Sequence, residues 1–451
     1  MQVREAREEM FSNRDLRKLI IPLVVEQVMS AMMGMADTMM VSNIGEAALS
    51  GVSLVDTINV LILFFFSAMA TGGTVVCGQY LGRGDGDKAN HVARQLYLIT
   101  AVLAVILTAV CVPGRRLLLR LIYGAVDRAV MEASLTYFLI TALSYPFVGL
   151  FNASAALYRS VGNSRLPMTV SLVSNLINIA GNALLIFVLR WGIAGAALST
   201  LVCRIFAAVV MVAKQHKPGQ EITVDRYLSI RPDREIIKRI LSIGVPAGLE
   251  NCVFQIGKLA VQSTVSTLGT TAIAAQAVTY TMEYVTSMPS QAIGTGMLTV
   301  VSRCMGAGRI DEAKRYTKKL VIAGELALLA AMGAVYLARE PIIALSHLGP
   351  EAADLTRHLV RIIFLVKSVP WTCAFVLPNC MRAAGDVKYP MIVAGLTMWF
   401  CRVLLCVVLC RFLGVGLIGV WIGMMADWFI RAILYVLRYV RGTWTHKRVI
   451  V

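Results

Sequence analysis

LGRGDGDKA, Leu81 to Ala89, decides the fold because the chain contains it twice. The stretch MGAGRIDEA (Met305 to Ala313) stands 224 positions later, with Gly82, Gly84, Asp87 and Ala89 falling on Gly306, Gly308, Asp311 and Ala313. The same offset carries Pro22 to Pro246, Glu26 to Glu250, Gly45 to Gly269, Pro146 to Pro370 and Gly192 to Gly416. Near Arg159 and Arg382 it becomes 223, where RSVGNSRLPM answers RAAGDVKYPM. A register that holds over half a chain marks a tandem duplication. The glycine-rich loop itself lacks the Gly-Lys-Ser/Thr ending of a phosphate loop and no strand precedes it, so it reads as a turn between helices.

Composition sets the class. Of 451 residues, 57% are apolar and 15% charged, with a mean hydropathy of +0.71. Soluble domains carry about 25% charged residues. Apolar runs of roughly 20 residues recur throughout, each long enough to cross about 30 Å of hydrocarbon as a helix. The pattern predicts an all-α polytopic membrane protein with twelve spans in two pseudo-symmetric six-helix lobes. The spans fall near 17–42, 52–80, 92–113, 131–158, 166–190 and 193–214, then 238–268, 276–304, 316–338, 353–381, 389–411 and 417–440. Residues 1–214 form the N-terminal lobe, 215–237 a polar linker, and 238–451 the C-terminal lobe. An even number of spans per repeat makes the repeats parallel, an arrangement known from transporters.

The net charge of +17 is spread over alternate links rather than gathered into a stripe, which argues against nucleic acid. Basic links such as Arg83–Arg94, Lys214–Arg239 and Arg303–Lys319 alternate with links poor in cations, so both termini are expected in the cytoplasm. PGRRLLLRLIYG dissents, and an interfacial helix is expected there. The first span is expected to serve as its own insertion signal. The ten cysteines form no C-x-x-C pair and no metal-type cluster with histidine. No zinc-protease or hydrolase motif is present, which weighs against an enzyme.

Ionisable groups inside spans carry the functional signal, since each costs about 2.5–3.5 kcal/mol on insertion scales. Glu26 and Asp37 lie on one face of the first span, eleven residues apart, with Ser30 and Gly34 between them. Burial would bring Asp37 toward proton exchange near neutral pH; a satisfied structural carboxylate is the competing reading. Asn175, Asn178 and Asn182 share a face of the fifth span. With Asn152, Ser154 and Thr200 they supply a polar network around Asp37, or glue between helices. The second lobe repeats Glu26 as Glu250 but places Val261 opposite Asp37 and Lys258 opposite Gly34. Lys258, Glu283, Lys367 and Arg402 are expected to form ion pairs, and Asp427 with Arg431 an i, i+4 pair. Phe254, Trp371 and Met33 complete the candidates for a substrate cleft, by cation–π attraction or by adaptable thioether packing.

These residues resemble a known family. P-x3-E-x10-D-T-x2-V-S-x-I-G (Pro22 to Gly45), the two repeated loops, the paired RSVGNSRLPM and RAAGDVKYPM elements and N-x2-N-x3-N in span five resemble the MATE (multidrug and toxic compound extrusion) antiporters over the whole chain. The resemblance implies a monomeric transporter of a bacterial plasma (inner) membrane. It would export organic cations or related amphiphiles against a proton or sodium gradient, with no cofactor beyond that ion. It implies that Asp37 is the coupling acid, with Asn178 in its network and a sodium ion, if used, beside it. Asn182 stands where one branch has an aspartate; Phe254 and Trp371 stand where another has acids, with Glu250 one turn before the first. A flippase for a lipid-linked precursor is the alternative, kept open by Arg204, Lys258, Lys367 and Arg402.

Overall fold

A computed structural model describes residues 9–124, 126–217, 219–224, 230–447 and 449–450. Among these residues the chain is helical, with no strand. The elements of the first repeat are α1 (Asn13–Ser42), α2 (Glu46–Arg83), α3 (Gly86–Tyr123), α4 (Arg128–Leu143), α5 (Tyr145–Ser160), α6 (Arg165–Val188) and α7 (Gly192–Gln215). The second repeat follows with α8 (Arg234–Ser266), α9 (Thr270–Gly306), α10 (Ile310–Leu337), α11 (Arg339–Leu345), α12 (Pro350–Lys367), α13 (Trp371–Phe375), α14 (Pro378–Ala384), α15 (Lys388–Phe412) and α16 (Leu417–Val440). Nine helices are long and apolar enough to cross a bilayer, and two bent pairs bring the described residues to eleven. The 37-residue α9 holds the register of α2 and completes twelve; its Thr, Ser and Gly content keeps its hydropathy low.

The bent pairs differ from the straight spans expected at 131–158 and 353–381. The chain turns by 46° between α4 and α5 and by 70° between α12 and the α13–α14 run. A proline of the repeat stands at each break: Pro146 is the second residue of α5, and Pro370 lies between Lys367 and Trp371. Proline lacks an N–H and its ring collides with the carbonyl four residues earlier, which favours a kink or break there. At the first break Ser144 Oγ donates to the Thr141 carbonyl at 2.6 Å. The basic stretch after Pro113 forms no separate interfacial helix: α3 continues through it to Tyr123, and Arg115 donates to the Val112 carbonyl at 2.6 Å.

The repeated loop is a turn in both copies. Gly84 and Gly308 have φ of 82° and 72°, the left-handed region that glycine enters without a steric penalty. Asp85 accepts the Lys88 backbone N–H at 3.1 Å as the N-cap of α3, and that bond holds its carboxyl below the usual range. The linker docks on α3. Gln95 donates to the Arg231 carbonyl at 2.8 Å, Thr223 N–H reaches Asn90 at 2.9 Å, and His91 meets Asp233 at 2.9 Å. The His91 contact holds the Asp233 carboxyl low.

Two compact units result, one of Arg17–Gly248 and one of Leu249–Val451 with the residues up to Leu16. The division falls inside α1 and α8, so each unit takes in the head of the other repeat's first helix. In the first unit α8 crosses α2 at glycines. A Cβ on Gly72 would overlap the Ile240 carbonyl, and one on Gly244 would stand 2.9 Å from the Ala68 carbonyl. In the second unit Phe11 N–H donates to the Tyr316 hydroxyl at 3.0 Å while that hydroxyl donates back to the Phe11 carbonyl at 2.8 Å. We expect Gly72→Val to destabilise the protein by about 1–3 kcal/mol through overpacking, seen as a lowered detergent melting temperature. Gly114→Ala, whose Cβ would meet only Leu118 at 3.9 Å, should melt like the native chain.

Candidate functional site

The first lobe builds its polar centre where α1, α6 and α7 meet. Asn182 on α6 donates through Nδ2 to the Asp37 carboxylate on α1. Its neighbour one turn back, Asn178, donates to Ser199 Oγ at 3.4 Å and to Thr200 Oγ1 at 3.3 Å on α7. Ser199 closes the cluster by donating to the Asn178 carbonyl at 2.8 Å. Gly181 lets α7 come so close: a Cβ there would overlap the Ser199 hydroxyl. Beyond Asn182, α6 opens into wide π-type turns from Ala183 to Val188, a distortion common at functional positions. Asp37 has no cation in ion-pair contact among the described residues, and Asn182 Oδ1 is buried without a partner.

Asn175 and Asn152 stay outside this cluster, against expectation. Asn152 donates to the Val148 carbonyl of its own helix at 2.9 Å, the local bond that short polar side chains favour in helices. Asn175 makes no hydrogen bond among the described residues; at that level the α6–α7 contact runs through Ser174, which donates to the Cys203 carbonyl at 2.9 Å. Ser154, expected beside them, donates to the Leu150 carbonyl and meets Tyr97.

A second carboxylate, Asp56 on α2, was missed in the sequence although it satisfies the same rule of an ionisable group within a span. Asn59 Nδ2 donates to it at 3.2 Å and the Tyr137 hydroxyl at 3.5 Å. The Tyr145 hydroxyl, from the helix break, donates to Asn59 Oδ1 at 2.9 Å. Arg204 donates to Ser144 at 2.7 Å and lies within electrostatic reach of both Asp56 and Asp37 without pairing directly with either.

Glu26 and Glu250, expected as cleft candidates, are each clamped by an arginine. Arg159 Nη2 lies 2.9 and 3.0 Å from the two oxygens of Glu26, and Arg382 Nη2 lies 2.6 and 2.8 Å from those of Glu250. Both arginines open the repeated elements RSVGNSRLPM and RAAGDVKYPM, so one ion pair is built twice. Glu250 is therefore ion-paired in this structure.

The second lobe's remaining candidates do converge, with basic groups in excess. Lys367, fully buried at the end of α12, donates to Glu283 Oε1 at 2.7 Å, to Ser287 at 2.7 Å and to Thr286 at 2.8 Å. Arg402 and Arg431 each come within 2.9 Å of Asp427. The Arg431 contact is a directed hydrogen bond; that of Arg402 is an ion pair without hydrogen-bond alignment, which leaves Asp427 Oδ2 and Arg402 Nε unbonded. Trp371 is buried against Phe375 and beneath Lys367, whose ammonium is 5.1 Å from its ring. Lys258 sits between the rings of Phe254 and Tyr280. Met33 is half-buried on α1. No group of three or more His, Cys, Asp or Glu side chains suited to a metal occurs among the described residues.

Two parallel six-span repeats, broken at matching prolines and carrying paired charges within the membrane, define a polytopic membrane transporter. The MatE family model matches residues 22–184 and 246–408, one copy per repeat in the register found above. The chain belongs to the MatE family, whose members are transporters and not enzymes. A probable multidrug resistance protein NorM of Thermotoga maritima is 26% identical over 444 residues, covering 97% of this chain and 94% of that protein. The uncharacterized transporter YisQ of Bacillus subtilis is 27% identical over 443 residues, covering 96% and 95%. A crystal structure of MATE in the straight conformation superposes with a TM-score of 0.89 at 19% identity, covering 96% of this chain and 97% of that one. An outward-facing multidrug resistance MATE family transporter gives 0.89 at 19%, covering 96% of each. These structures share the fold.

Glu26→Gln or Glu250→Gln should lower stability, since removing one partner of a buried pair costs up to about 3–5 kcal/mol, and less here because both pairs keep some exposure. The exchange Glu26→Arg with Arg159→Glu should recover part of the loss in a thermal melt. No recovery would mean that the two side chains are held independently.

Proposed function

We propose that this chain is a secondary active exporter of drug-like amphiphiles, organic cations among them, driven by protons or sodium ions acting at Asp37. The observation that carries this reading is a half-buried membrane carboxylate, bonded to Asn182, in ion-pair contact with no cation among the described residues, and with no counterpart at the matching position of the second repeat. An ionised carboxylate in an apolar lobe is unfavourable unless something neutralises it. A proton does so directly. A sodium ion would find oxygen ligands in Asp37, the unpartnered Asn182 Oδ1, Asn178 Oδ1 and Thr200 Oγ1, the donor type hard cations prefer. Neutralisation frees Asn182 to rearrange against α1, and that charge change biases the lobe between states with Asp37 open to opposite sides of the membrane.

Export of drug-like compounds draws support from the relatives described as probable multidrug resistance proteins in Thermotoga maritima and Neisseria meningitidis. The bacterial relatives and the alternation of basic links support a plasma-membrane location with both termini cytoplasmic. A monomer is sufficient for this cycle, since the Asp37 cluster draws on one chain. Reconstituted in proteoliposomes loaded with a cationic dye, the protein should drive efflux under an imposed proton or sodium gradient, each tested alone. Asp37→Asn should reduce efflux to the rate of empty liposomes. Asn182→Ala should weaken the apparent affinity for the coupling ion about 10–100-fold, as expected for a group that orients an ion ligand. Undiminished gradient-driven efflux by Asp37→Asn would overturn the proposal.

A further inference from the structure

Around Phe254 the second lobe gathers more cations than it has acids to pair with them. The Lys258 ammonium lies 5.4 Å from the Phe254 ring centroid and 5.3 Å from that of Tyr280. The guanidiniums of Arg402 and Arg431 approach the same Phe254 ring to 5.1 and 5.7 Å. Three nearby carboxylates are already paired with cations. Asp427 is shared by Arg402 and Arg431, Glu283 is held by Lys367, and Glu250 by Arg382. Glu325 has no cation in ion-pair contact among the described residues and lies beside Thr372 and Cys373, away from Lys258's ring partners Phe254 and Tyr280. Lys258 has neither an ion pair nor a hydrogen bond among the described residues, and the Tyr280 hydroxyl beside it has no hydrogen-bond partner there either.

Aromatic faces ease the burial of a cation without neutralising it. An ammonium with three unused donors, a free phenol and two guanidiniums on one carboxylate make a set that an anion would both neutralise and hydrogen-bond. Access divides the work. Lys258 and Tyr280 are half-buried, whereas Arg402 and Arg431 are 3% exposed, so a ligand can touch the first two and feel the field of the others. Phe254, Tyr280 and the exposed Tyr284 offer rings to the apolar body of such a ligand.

We propose that Lys258 and Tyr280, backed by Arg402 and Arg431, bind the anionic group of an amphiphile: a carboxylate, sulfonate or phosphate attached to an aromatic or hydrocarbon body. The exporter reading is needed only for treating that amphiphile as cargo; binding stands without it. Substrates would then include zwitterions and anionic amphiphiles beside simple organic cations.

The test uses the full-length protein in detergent and two rhodamine dyes that differ only in a carboxylate and its ethyl ester, with binding followed by fluorescence polarisation. Lys258→Gln should weaken binding of the carboxylate dye at least tenfold and that of the ester less than twofold. Lys258→Arg should retain the carboxylate preference. Intact ester binding shows that the variant is folded. Equal losses for both dyes, or no loss for either, would overturn the proposal. Competition by phosphatidylglycerol micelles against the carboxylate dye identifies a lipid headgroup as an occupant of the same site, and lack of competition restricts it to soluble amphiphiles. Failure of ester efflux in proteoliposomes would count against the exporter reading alone, since these binding measurements involve no gradient.

Discussion

An ion in hydrocarbon needs a partner, and each lobe answers that constraint with the residues it has. The clearest answer is the pair of Glu26 with Arg159, repeated as Glu250 with Arg382. In each unit it joins the first helix of a repeat to the helix that follows the proline break. Guanidinium and carboxylate neutralise one another, so both lobes can hold charge at this level without a ligand. Groups left unpaired elsewhere stand out against this background. Among the described residues they include Asp37 in one lobe and Lys258 in the other.

The proline breaks determine which side chains can reach the second helix of each repeat. Tyr145 and Ser144 stand at the first break, Lys367 just before the second. Tyr145 bonds Asn59 on α2, and Lys367 bonds Glu283 on α9. Asn59 and Glu283 are themselves 224 positions apart, as are Asp56 and Tyr280. One geometric device therefore serves both lobes while the groups it brings together have changed. A straight helix would carry these side chains past α2 and α9 along its axis, so the break is what turns two spans into the wall of a polar centre.

Architecture was legible in the sequence because its signals are local or periodic. Apolar runs give the spans, and the constant offset gives the repeats. The Asp37, Asn182, Asn178 and Thr200 grouping followed from residues sharing helix faces. Asn152 and Asn175 stayed outside it, because a position on a helix does not decide whether an amide meets a neighbour; Asn152 turns back to its own helix carbonyl and Asn175 makes no hydrogen bond among the described residues. The glutamate–arginine pairs needed knowledge of which helices touch, although both partners recur at nearly the same offset and could have been matched on that ground. Asp56 was overlooked within a strongly apolar run. The helix breaks were signalled by Pro146 and Pro370 but not by hydropathy, which is blind to bending.

Duplication followed by divergence explains why the polar centres of the two lobes differ in sign. Asp37 faces Val261 across the register, Gly34 faces Lys258, and Asp56 faces Tyr280. Each exchange removes an acid or adds a base or a phenol in the second copy. The first lobe's centre then holds Asp37 and Asp56 against Arg204, an excess of negative charge when both acids are ionised. The second holds Lys258, Lys367, Arg402 and Arg431 against Glu283, Asp427 and Glu325, a small excess of positive charge. Such opposite imbalances are costly in a membrane unless mobile ions of opposite sign visit each centre. A cation completing the first and an anion completing the second would each be bound most tightly where the lobe cannot neutralise itself. Under the proposed cycle, this division would keep the coupling ion and the anionic end of a substrate from competing for one site.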